Sequence, residues 1–439
     1  MSDVNATAAG RAPDNATVLR LIQASKAAGA AGRAGEADQL LARVAQLAPA
    51  HPAVLNELGS RMMQRGDAGR ACELFQRATQ ADPKHPILWS NLASSLAALN
   101  RLPEELEAIE RALALEPRHL AALLQKGSLL ERTGDARNAA RAYRNALATL
   151  PAGASPPAEA VAPLIEHART VIAADDSALG AAIEERLAPI RDRHGAGQYR
   201  RVDRCLELLT GRRRRFEPQP TFMYFPEIPA IEFFDRAEFP WLDAIEAATE
   251  SIREELMSVL VSDREGLEPY IAYPDGVPLN QWQELNKSRR WSAYFLCNQG
   301  VPQPAHLARC PRTAEVLKGA PQCDVRQRGP TAYFSILDAH TRIPAHTGVT
   351  NTRLIVHLPL IVPQGCGFRV GNETREWVPG KAWVFDDTVE HEAWNDSDVP
   401  RAILIFDIWN PFLSAAERDL IRAATEVVGT YYGSTLEPV

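Results

Sequence analysis

Four prolines near the start of the chain recur at intervals of 34 residues and set the period of the sequence around them. The prolines are Pro49, Pro83, Pro117 and Pro151. Large side chains stand eight residues before each of them: Leu41, Phe75, Ile109 and Tyr143. Small residues stand 24 residues before the last three: Gly59, Ala93 and Gly127. A regular period of this length predicts an array of two-helix units, because one such unit cannot bury its apolar face alone.

This pattern resembles the tetratricopeptide repeat, in which proline ends the second of two antiparallel helices. It predicts four units over residues 16–153, after a flexible N-terminus of residues 1–15. Such an array forms a superhelix with a concave surface, so we expect a peptide or protein partner there. His51, His85 and His119 share the period. Since each follows a helix-ending proline, the spacing favours a structural role over a stripe of metal ligands.

Residues 154–215 are predicted to form a helical linker, with helices near 160–174, 178–191 and 201–209. The linker ends in four consecutive arginines, Arg212 to Arg215. A run of this kind binds phosphate or an acidic partner in some proteins, but it is more often a solvated or ion-paired surface. We therefore expect a solvated linker or ion pairs within the chain.

The overall composition excludes several classes of protein. Apolar residues make up 46% of the chain and charged residues 23%, the balance of a globular protein. The formal net charge of −7 argues against nonspecific binding to nucleic acid. The six cysteines form no Cys-x-x-Cys pair and are expected to be reduced, with a Cys310–Cys323 disulfide as the alternative. Because we find no membrane-spanning stretch and no secretory signal, we expect a cytoplasmic protein without a membrane partner.

Short alternating segments replace the helical period after about residue 216. They predict eight strands, at residues 292–297, 331–337, 353–361, 367–370, 373–377, 382–385, 391–394 and 402–409. A helix is predicted before them at 241–262, and another after them at 415–428. Many short strands separated by glycine, proline and asparagine turns predict a double-sheet jelly roll or barrel. His346 and His391, delivered from neighbouring strands, are candidate ligands of a divalent metal, although their spacing alone does not establish one.

Three segments of the second half resemble the aspartyl/asparaginyl β-hydroxylase family. They are HTGVTNTRLIVHL at 346–358, FDDTVEHEAWN at 385–395 and RAILIFDIWNP at 401–411. The resemblance covers about residues 216–415 and leaves residues 416–439 as a C-terminal helix and tail. It implies a double-stranded β-helix (jelly-roll) oxygenase domain that uses Fe(II), 2-oxoglutarate and O2. The fold class predicted for the whole chain is thus an all-α tetratricopeptide superhelix followed by this β domain.

The resemblance also implies the metal ligands, which are His346 and His391. Many related oxygenases add a carboxylate two residues after the first histidine. Gly348 occupies that position here and has no side chain, as in this family, where water is thought to fill the place. Asp386 or Asp387 is an alternative third ligand. Aspartates in a turn before a strand, however, more often form hydrogen bonds within the turn.

The remaining site residues concern the co-substrate. By resemblance, Arg401 pairs with the distal carboxylate of 2-oxoglutarate with help from Ser335, and His357 lies near its oxalyl end. Well-known animal members have an arginine two positions before that histidine, where this chain has Ile355. Arg353, on the same strand face, is a candidate replacement, and iron itself is the alternative counter-charge.

The sequence therefore predicts an Fe(II)- and 2-oxoglutarate-dependent dioxygenase. The resemblance implies hydroxylation of a carbon, such as the β-carbon of an Asp or Asn residue in a peptide or protein. No side chain is needed as a general base, so no catalytic residue beyond the metal ligands is predicted. Hydroxylation of a small molecule or lipid is the alternative within enzymes. A non-catalytic tetratricopeptide scaffold with a degenerate barrel is the alternative outside them, and Ile355 is its best support.

Overall fold

The computed structural model describes residues 14–150, 161–194 and 199–432, and it divides into two compact units at Arg212 and Arg213. Most of the predicted flexible N-terminus, the predicted break at 154–157 and the end of the C-terminal tail fall outside the described residues. The six cysteines are all described and are free in the structure, which has no Cys310–Cys323 disulfide.

The first unit begins with helices that follow one another through short turns. They are α1 (Asn15–Ala30), α2 (Ala34–Leu47), α3 (Pro52–Gln64), α4 (Ala68–Ala81), α5 (Pro86–Ala98), α6 (Leu102–Leu115), α7 (Leu120–Arg132) and α8 (Ala136–Leu147). Consecutive helices pack as pairs: α1 with α2, α3 with α4, α5 with α6 and α7 with α8. Helices α3, α5 and α7 start 34 residues apart, as do α4, α6 and α8. The predicted array of four helical pairs is confirmed.

Close approach of paired helices explains the small residues of the period. A Cβ atom on Gly59 would lie 2.6 Å from the ring of Phe75, and one on Gly127 would lie 2.3 Å from the ring of Tyr143. Both distances are shorter than a real Cβ contact, so glycine is required wherever the facing side chain is aromatic. In the intervening pair the same two positions hold Ala93 and Ile109, a larger residue opposite a smaller one.

The periodic histidines are helix N-caps. His51, His85 and His119 immediately precede α3, α5 and α7. The ring nitrogens of His51 and His119 accept hydrogen bonds from backbone N–H groups in the first turns of their helices. This satisfies donors that have no partner within a helix. The structural interpretation of these histidines is confirmed.

The predicted linker helices differ from the structure. Instead of separate helices near 160–174 and 178–191, one helix, α9 (Ala162–His194), runs through both segments, and α10 (Arg200–Leu209) follows. The expected break contains Asp175 and Asp176, and both accept hydrogen bonds from Arg144, at 2.9 and 2.5 Å. The acidic pair thus lies within α9 and contacts α8.

The second unit contains two antiparallel sheets. The strands are β1 (Glu268–Pro269), β2 (Trp291–Asn298), β3 (Val301–Pro302), β4 (Ala332–Leu337), β5 (Thr341–His346), β6 (Arg353–Ile361), β7 (Cys366–Val370), β8 (Glu373–Arg375), β9 (Trp383–Phe385), β10 (His391–Asn395) and β11 (Arg401–Trp409). One sheet has the order β1-β2-β4-β11-β6-β9, with β3 beside β2, and the other has the order β5-β10-β7-β8.

Helices cover the larger sheet on one side. They are α11 (Leu242–Ala247), α12 (Thr249–Ser262), α13 (Pro304–Arg309) and α14 (Pro311–Leu317). A further helix, α15 (Ala415–Tyr432), packs through Ile421 against Cys323, Val325, Trp409 and Leu413. The predicted single helix at 241–262 is wrong, because the chain breaks at Ala248 between α11 and α12. The expected ion pairs of the arginine run are confirmed in this unit. Arg213 pairs with Glu232, Arg214 with Glu390 and Arg215 with Glu217.

Strand alternation separates the two faces of the larger sheet. Along β11, Leu404, Phe406 and Ile408 belong to the apolar cluster shared with the helices. Ile403 and Ile405 belong instead to a cluster shared with β5, β7 and β10 of the smaller sheet. Since successive side chains of a strand point to opposite faces, the residues in register with Ile403 and Ile405 face the space between the sheets. That space holds the candidate site.

Candidate functional site between the sheets

The two predicted metal ligands meet on neighbouring strands. His346 ends β5 and His391 begins β10, and the two residues are direct partners in the antiparallel register. Their ring centroids lie 4.0 Å apart, with the ring planes at 53°. Strand β5 was not predicted from the sequence, because Pro344 interrupts its pattern. It is the edge strand of its sheet, the position where proline is tolerated.

Each histidine ring is oriented by a backbone carbonyl. His346 Nδ1 lies 2.7 Å from the carbonyl oxygen of Pro344, and His391 Nδ1 lies 3.1 Å from that of Val389. A carbonyl only accepts, so Nδ1 carries the proton and Nε2 keeps its lone pair. Burial lowers the pKa of His346 to about 4 and holds the pKa of His391 well below its usual value. Both rings are therefore neutral, the form that coordinates a metal.

The structure leaves no space for a side chain at position 348 that could serve as a third metal ligand. A Cβ atom there would lie 2.2 Å from Oδ2 of Asp387, whose carboxylate fills that space. Asp386 forms the turn that the sequence predicts, since its Oδ1 accepts hydrogen bonds from the N–H and hydroxyl of Thr388. Within the ranges that the structure describes, no group of three or more His, Cys, Asp or Glu residues is arranged to hold a metal. The protein donor set offered here is the histidine pair.

Arg401 is a buried cation without a counter-charge. Its side chain is 1% exposed, and among the described residues no carboxylate lies within 4.0 Å of its nitrogen atoms. Nη1 donates to the hydroxyl of Ser335 at 3.3 Å, and the guanidinium lies 4.8 Å above the ring of Trp377. Nε has no hydrogen-bond partner in the described part of the chain. Burial lowers the pKa of Arg401 to about 10, so the group remains charged at neutral pH. An isolated buried charge is costly unless a ligand neutralises it.

Ser335 and His357 complete this end of the space. The Ser335 hydroxyl also accepts from Nε1 of Trp291 at 3.1 Å, which holds it beside Arg401. His357 is 5% exposed, and its Nδ1 has no hydrogen-bond partner among the described residues. Burial and the charge of Arg401 hold the pKa of His357 well below its usual value. Its neutral ring can therefore accept or donate a hydrogen bond to a ligand.

Arg353 lies in different surroundings from Arg401. Its Nη1 donates to Asp407 at 3.1 Å, and its Nη2 lies 4.0 Å from Oδ2 of Asp387. Although burial lowers the pKa of Arg353, the two carboxylates raise it above its ordinary value. The guanidinium that was expected to replace the charge missing at Ile355 is thus already engaged with two aspartates.

All six predicted site residues line one cavity of about 300 Å³. They are Ser335, His346, Arg353, His357, His391 and Arg401. The sequence interpretation missed other lining residues, among them Phe222, Tyr270, Trp291 and Arg328. Tyr270 stacks on Trp291 with ring centroids 4.1 Å apart. Phe222, Tyr270 and Arg328 lie outside the regular strands, where hydrophobic periodicity gives no signal.

Comparison with known proteins identifies the second unit. Residues 246–411 match the family model described as aspartyl/asparaginyl beta-hydroxylase. The human aspartyl/asparaginyl beta-hydroxylase is 38% identical over 34% of this chain and 20% of its own length. The ornithine lipid ester-linked acyl 2-hydroxylase of Rhizobium tropici is 36% identical over 42% of this chain and 62% of its own length. Residues 246–411 of the second unit thus match the aspartyl/asparaginyl β-hydroxylase family, and the resemblance seen in the sequence is confirmed.

The match leaves much of each relative uncovered, since the chain spans less than two thirds of the length of these two curated proteins. Among solved structures, the crystal structure of MamA is 20% identical, with a TM-score of 0.28 over 31% of this chain and 80% of that chain. No helix in the described part of the chain combines the length and apolar character needed to cross a bilayer.

Proposed function

We propose that the chain is an Fe(II)- and 2-oxoglutarate-dependent hydroxylase. The observation that carries the proposal is the position of Arg401 in the same cavity as two neutral histidines. This arginine is buried and has no carboxylate partner among the residues that the structure describes. A degenerate barrel would have no reason to keep an uncompensated charge, because replacing it with an apolar residue would remove a desolvation cost. The matched family and the relatives named as hydroxylases support the same function.

His346 and His391 would hold the iron. Their Nε2 atoms are available to coordinate the metal, since each Nδ1 is hydrogen-bonded to a backbone carbonyl. Imidazole is a suitable ligand for iron, and sites with few protein ligands leave coordination positions for other molecules. When bound, iron with 2-oxoglutarate and O2 supplies the oxidising chemistry that inserts oxygen into a C–H bond. The protein contributes orientation of the two rings and an enclosed space.

Arg401 and Ser335 would bind the distal carboxylate of 2-oxoglutarate. The guanidinium offers a fork of donors that suits a planar carboxylate, and Trp377 holds it in place from one face. His357 would lie toward the other end of the co-substrate. Asp387 and Asp407 already contact the guanidinium of Arg353. That Arg353 replaces the positive charge absent at Ile355 stays a prediction.

The two sheets would then be the two faces of a double-stranded β-helix. In this interpretation, β5 and β10 of the smaller sheet deliver the histidines, and β4, β6 and β11 of the larger sheet deliver the co-substrate residues. Alternation along each strand gives this distribution, since Ser335, His357 and Arg401 all face the space between the sheets. The site is built on strands, which hold side chains more rigidly than loops do.

The substrate we favour is an Asp, Asn or similar residue of a peptide or protein in the cytoplasm. The name of the human relative supports a peptidyl substrate, and the helical repeats offer a surface for a polypeptide. A lipid acyl chain is the second candidate. The name of the Rhizobium relative supports it, as does an apolar part of the cavity wall formed by Met223, Val325 and Ile421.

Succinate formation tests the reaction class. Purified full-length protein supplied with Fe(II), 2-oxoglutarate and O2 should release succinate, and omission of either Fe(II) or 2-oxoglutarate should abolish the release. Folded protein that binds Fe(II) but forms no succinate would favour the scaffold alternative. To identify the substrate, cell extracts are treated with the protein or with its His391→Ala variant and searched by mass spectrometry for products heavier by one oxygen atom. Modified peptides and modified lipids separate the two candidates.

A further inference from the structure

A second arginine that lacks a counter-charge within the described ranges lines the cavity. Arg328 is partly buried and lines the same space as the histidine pair and Arg401. Its guanidinium lies 4.6 Å above the ring of Phe222. Among the described residues, no carboxylate approaches within 4.0 Å of its nitrogen atoms. The side chain is therefore positioned by an aromatic face rather than by an acid.

The backbone around Arg328 is held firmly. The N–H groups of Arg328 and Gly329 donate to the carbonyl oxygen of Val325, at 2.9 and 2.8 Å. The carbonyl of Arg328 lies 3.5 Å from Nη1 of Arg353. Thr331, at the end of the same loop, donates its N–H to Asp407 at 3.1 Å. The loop is thus anchored to the Arg353–Asp407 ion pair inside the sheet unit.

Phe222 is fixed independently, through the loop that follows the first histidine. The N–H groups of Thr221 and Phe222 donate to the carbonyl oxygens of Gly348 and Val349, each at 3.0 Å. Phe225 and Asn351 exchange two further hydrogen bonds, at 2.7 and 2.8 Å. Phe222 therefore has a defined position relative to His346, which lies two residues before Gly348. The arginine that stacks on Phe222 thus lines the same cavity as His346.

The charges near Arg328 favour an anionic ligand. Burial lowers the pKa of Arg328, and the positive charge of Arg353 lowers it further. Arg353 is compensated by Asp387 and Asp407, whereas Arg328 is not. The hydroxyls of Thr350 and Thr352, 2.9 Å apart, line the same cavity and add polar partners for a ligand.

We propose that Arg328, held against Phe222, is a specificity-determining residue that binds a carboxylate group of the substrate. The guanidinium fork binds a planar carboxylate through two parallel hydrogen bonds, and the aromatic face keeps the fork in one orientation. This inference rests on the proposed function, because it assigns Arg401 to the co-substrate and leaves Arg328 for the substrate. The substrate class it selects carries a carboxylate that reaches Arg328 at the cavity wall.

The test uses two capped amino acids of equal shape and different charge. N-acetyl-L-aspartic acid α-amide carries a side-chain carboxylate, and N-acetyl-L-asparagine amide does not. Each is titrated into the full-length protein saturated with N-oxalylglycine, an unreactive analogue of 2-oxoglutarate, and binding is measured by calorimetry. We expect the wild type to bind the aspartate probe at least about tenfold more tightly than the asparagine probe. Arg328→Gln should remove this preference and leave N-oxalylglycine binding unchanged.

A matched control is available two residues away. Arg326 is exposed, pairs with Glu426 at 2.8 Å and does not line the cavity, so Arg326→Gln should keep the preference. The inference is overturned if wild type shows no preference or binds neither probe, or if Arg328→Gln retains the preference. A different result would contradict the proposed function itself: Arg401→Met would bind N-oxalylglycine as tightly as the wild type does.

Discussion

The helical unit and the sheet unit differ in how they bury polar groups. In the helical unit the buried carboxylates have cationic partners: Glu57 pairs with Lys26 and Glu105 with Arg132. One buried side-chain atom of that unit, Oε2 of Glu105, lacks a hydrogen bond among the described residues. In the sheet unit the corresponding atoms are more numerous, and those of Arg353, His357, Asp387, Arg401 and Asp407 belong to residues that line one cavity.

This contrast separates polar groups that stabilise a fold from polar groups that await a ligand. Native proteins leave few buried polar atoms unsatisfied, so a concentration of them in one place calls for a physical explanation. A ligand with complementary groups provides one here. Arg353 and Arg401 show the distinction within one sheet. Arg353, which is partly buried, pairs with Asp387 and Asp407, whereas the buried Arg401 has no carboxylate partner among the described residues.

Loss of either metal ligand should produce the largest effect. His346→Ala or His391→Ala removes one of two protein donors, and we expect Fe(II) affinity to fall by on the order of 100-fold or more, with succinate formation abolished. Retained Fe(II) is measured after anaerobic gel filtration. His340→Ala is the control, because this exposed histidine pairs with Asp398 and does not line the cavity. Undiminished iron retention in His346→Ala would contradict the assignment.

Removal of the paired arginine should destabilise the fold. Arg353→Met leaves Asp407, which is 1% exposed, without its cation, and we expect the free energy of unfolding to fall by about 3–5 kcal/mol. Burial already raises the pKa of Asp407 to about 6. A carboxyl whose folded-state pKa is raised binds a proton more readily when folded, so the loss should be smaller at pH 5 than at pH 8. Urea unfolding at both pH values checks this.

The matched double variant sharpens that prediction. Arg353→Met combined with Asp407→Leu removes both charges, and we expect it to recover most of the lost stability. If the double variant is as unstable as Arg353→Met, the ion pair is not the cause of the loss.

Replacement of Arg401 should weaken co-substrate binding more than it changes the stability of the fold. Arg401→Met removes a buried charge without leaving a carboxylate behind, so the free energy of unfolding should stay within about 1 kcal/mol of wild type or rise. The affinity for 2-oxoglutarate should fall about 100-fold, the value of a charge-assisted pair of about 2–3 kcal/mol. Urea unfolding and calorimetric titration measure the two quantities. A loss of 3 kcal/mol or more in stability would show that Arg401 is a structural residue.

The smallest effect is expected for a substitution in the helical unit, where the position concerned affects packing and not ligand binding. Gly59→Ala places a Cβ atom against Phe75 and should cost about 1–3 kcal/mol of stability. The double variant Gly59→Ala with Phe75→Ile reproduces the Ala93 and Ile109 combination of the next repeat and should recover part of that loss. Succinate formation should not change in either variant, and a change would link the repeat to the reaction.

The regular elements were predictable because their signals are local. The 34-residue period gives the helical pairs, and alternation gives β6 at the same bounds as predicted, 353–361. Strand β5 was missed because Pro344 breaks the alternation, and the tertiary arrangement at the sheet edge decides its conformation. Where the predicted break falls, Asp175 and Asp176 of α9 contact Arg144 of another helix, a tertiary contact that the sequence of residues 160–191 does not contain.

Most of the predicted site residues lie in the three segments that resemble the family. These segments brought His346, His391 and Arg401 into one prediction, which spacing alone did not. The ion pair of Arg353 with Asp407 depends on the register of β6 against β11, and a single sequence does not contain that register. Arg328 and Phe222 lie in loops that meet through tertiary hydrogen bonds, so their stacking follows from the fold.

Anaerobic absorption spectroscopy tests most directly whether the histidine pair and Arg401 serve one site. Adding 2-oxoglutarate to the Fe(II)-loaded full-length protein should produce a weak charge-transfer band in the visible range. The band should be absent in His391→Ala and, at the same co-substrate concentration, strongly reduced in Arg401→Met. A folded, iron-loaded wild-type protein that shows no band at saturating 2-oxoglutarate would contradict the proposed site.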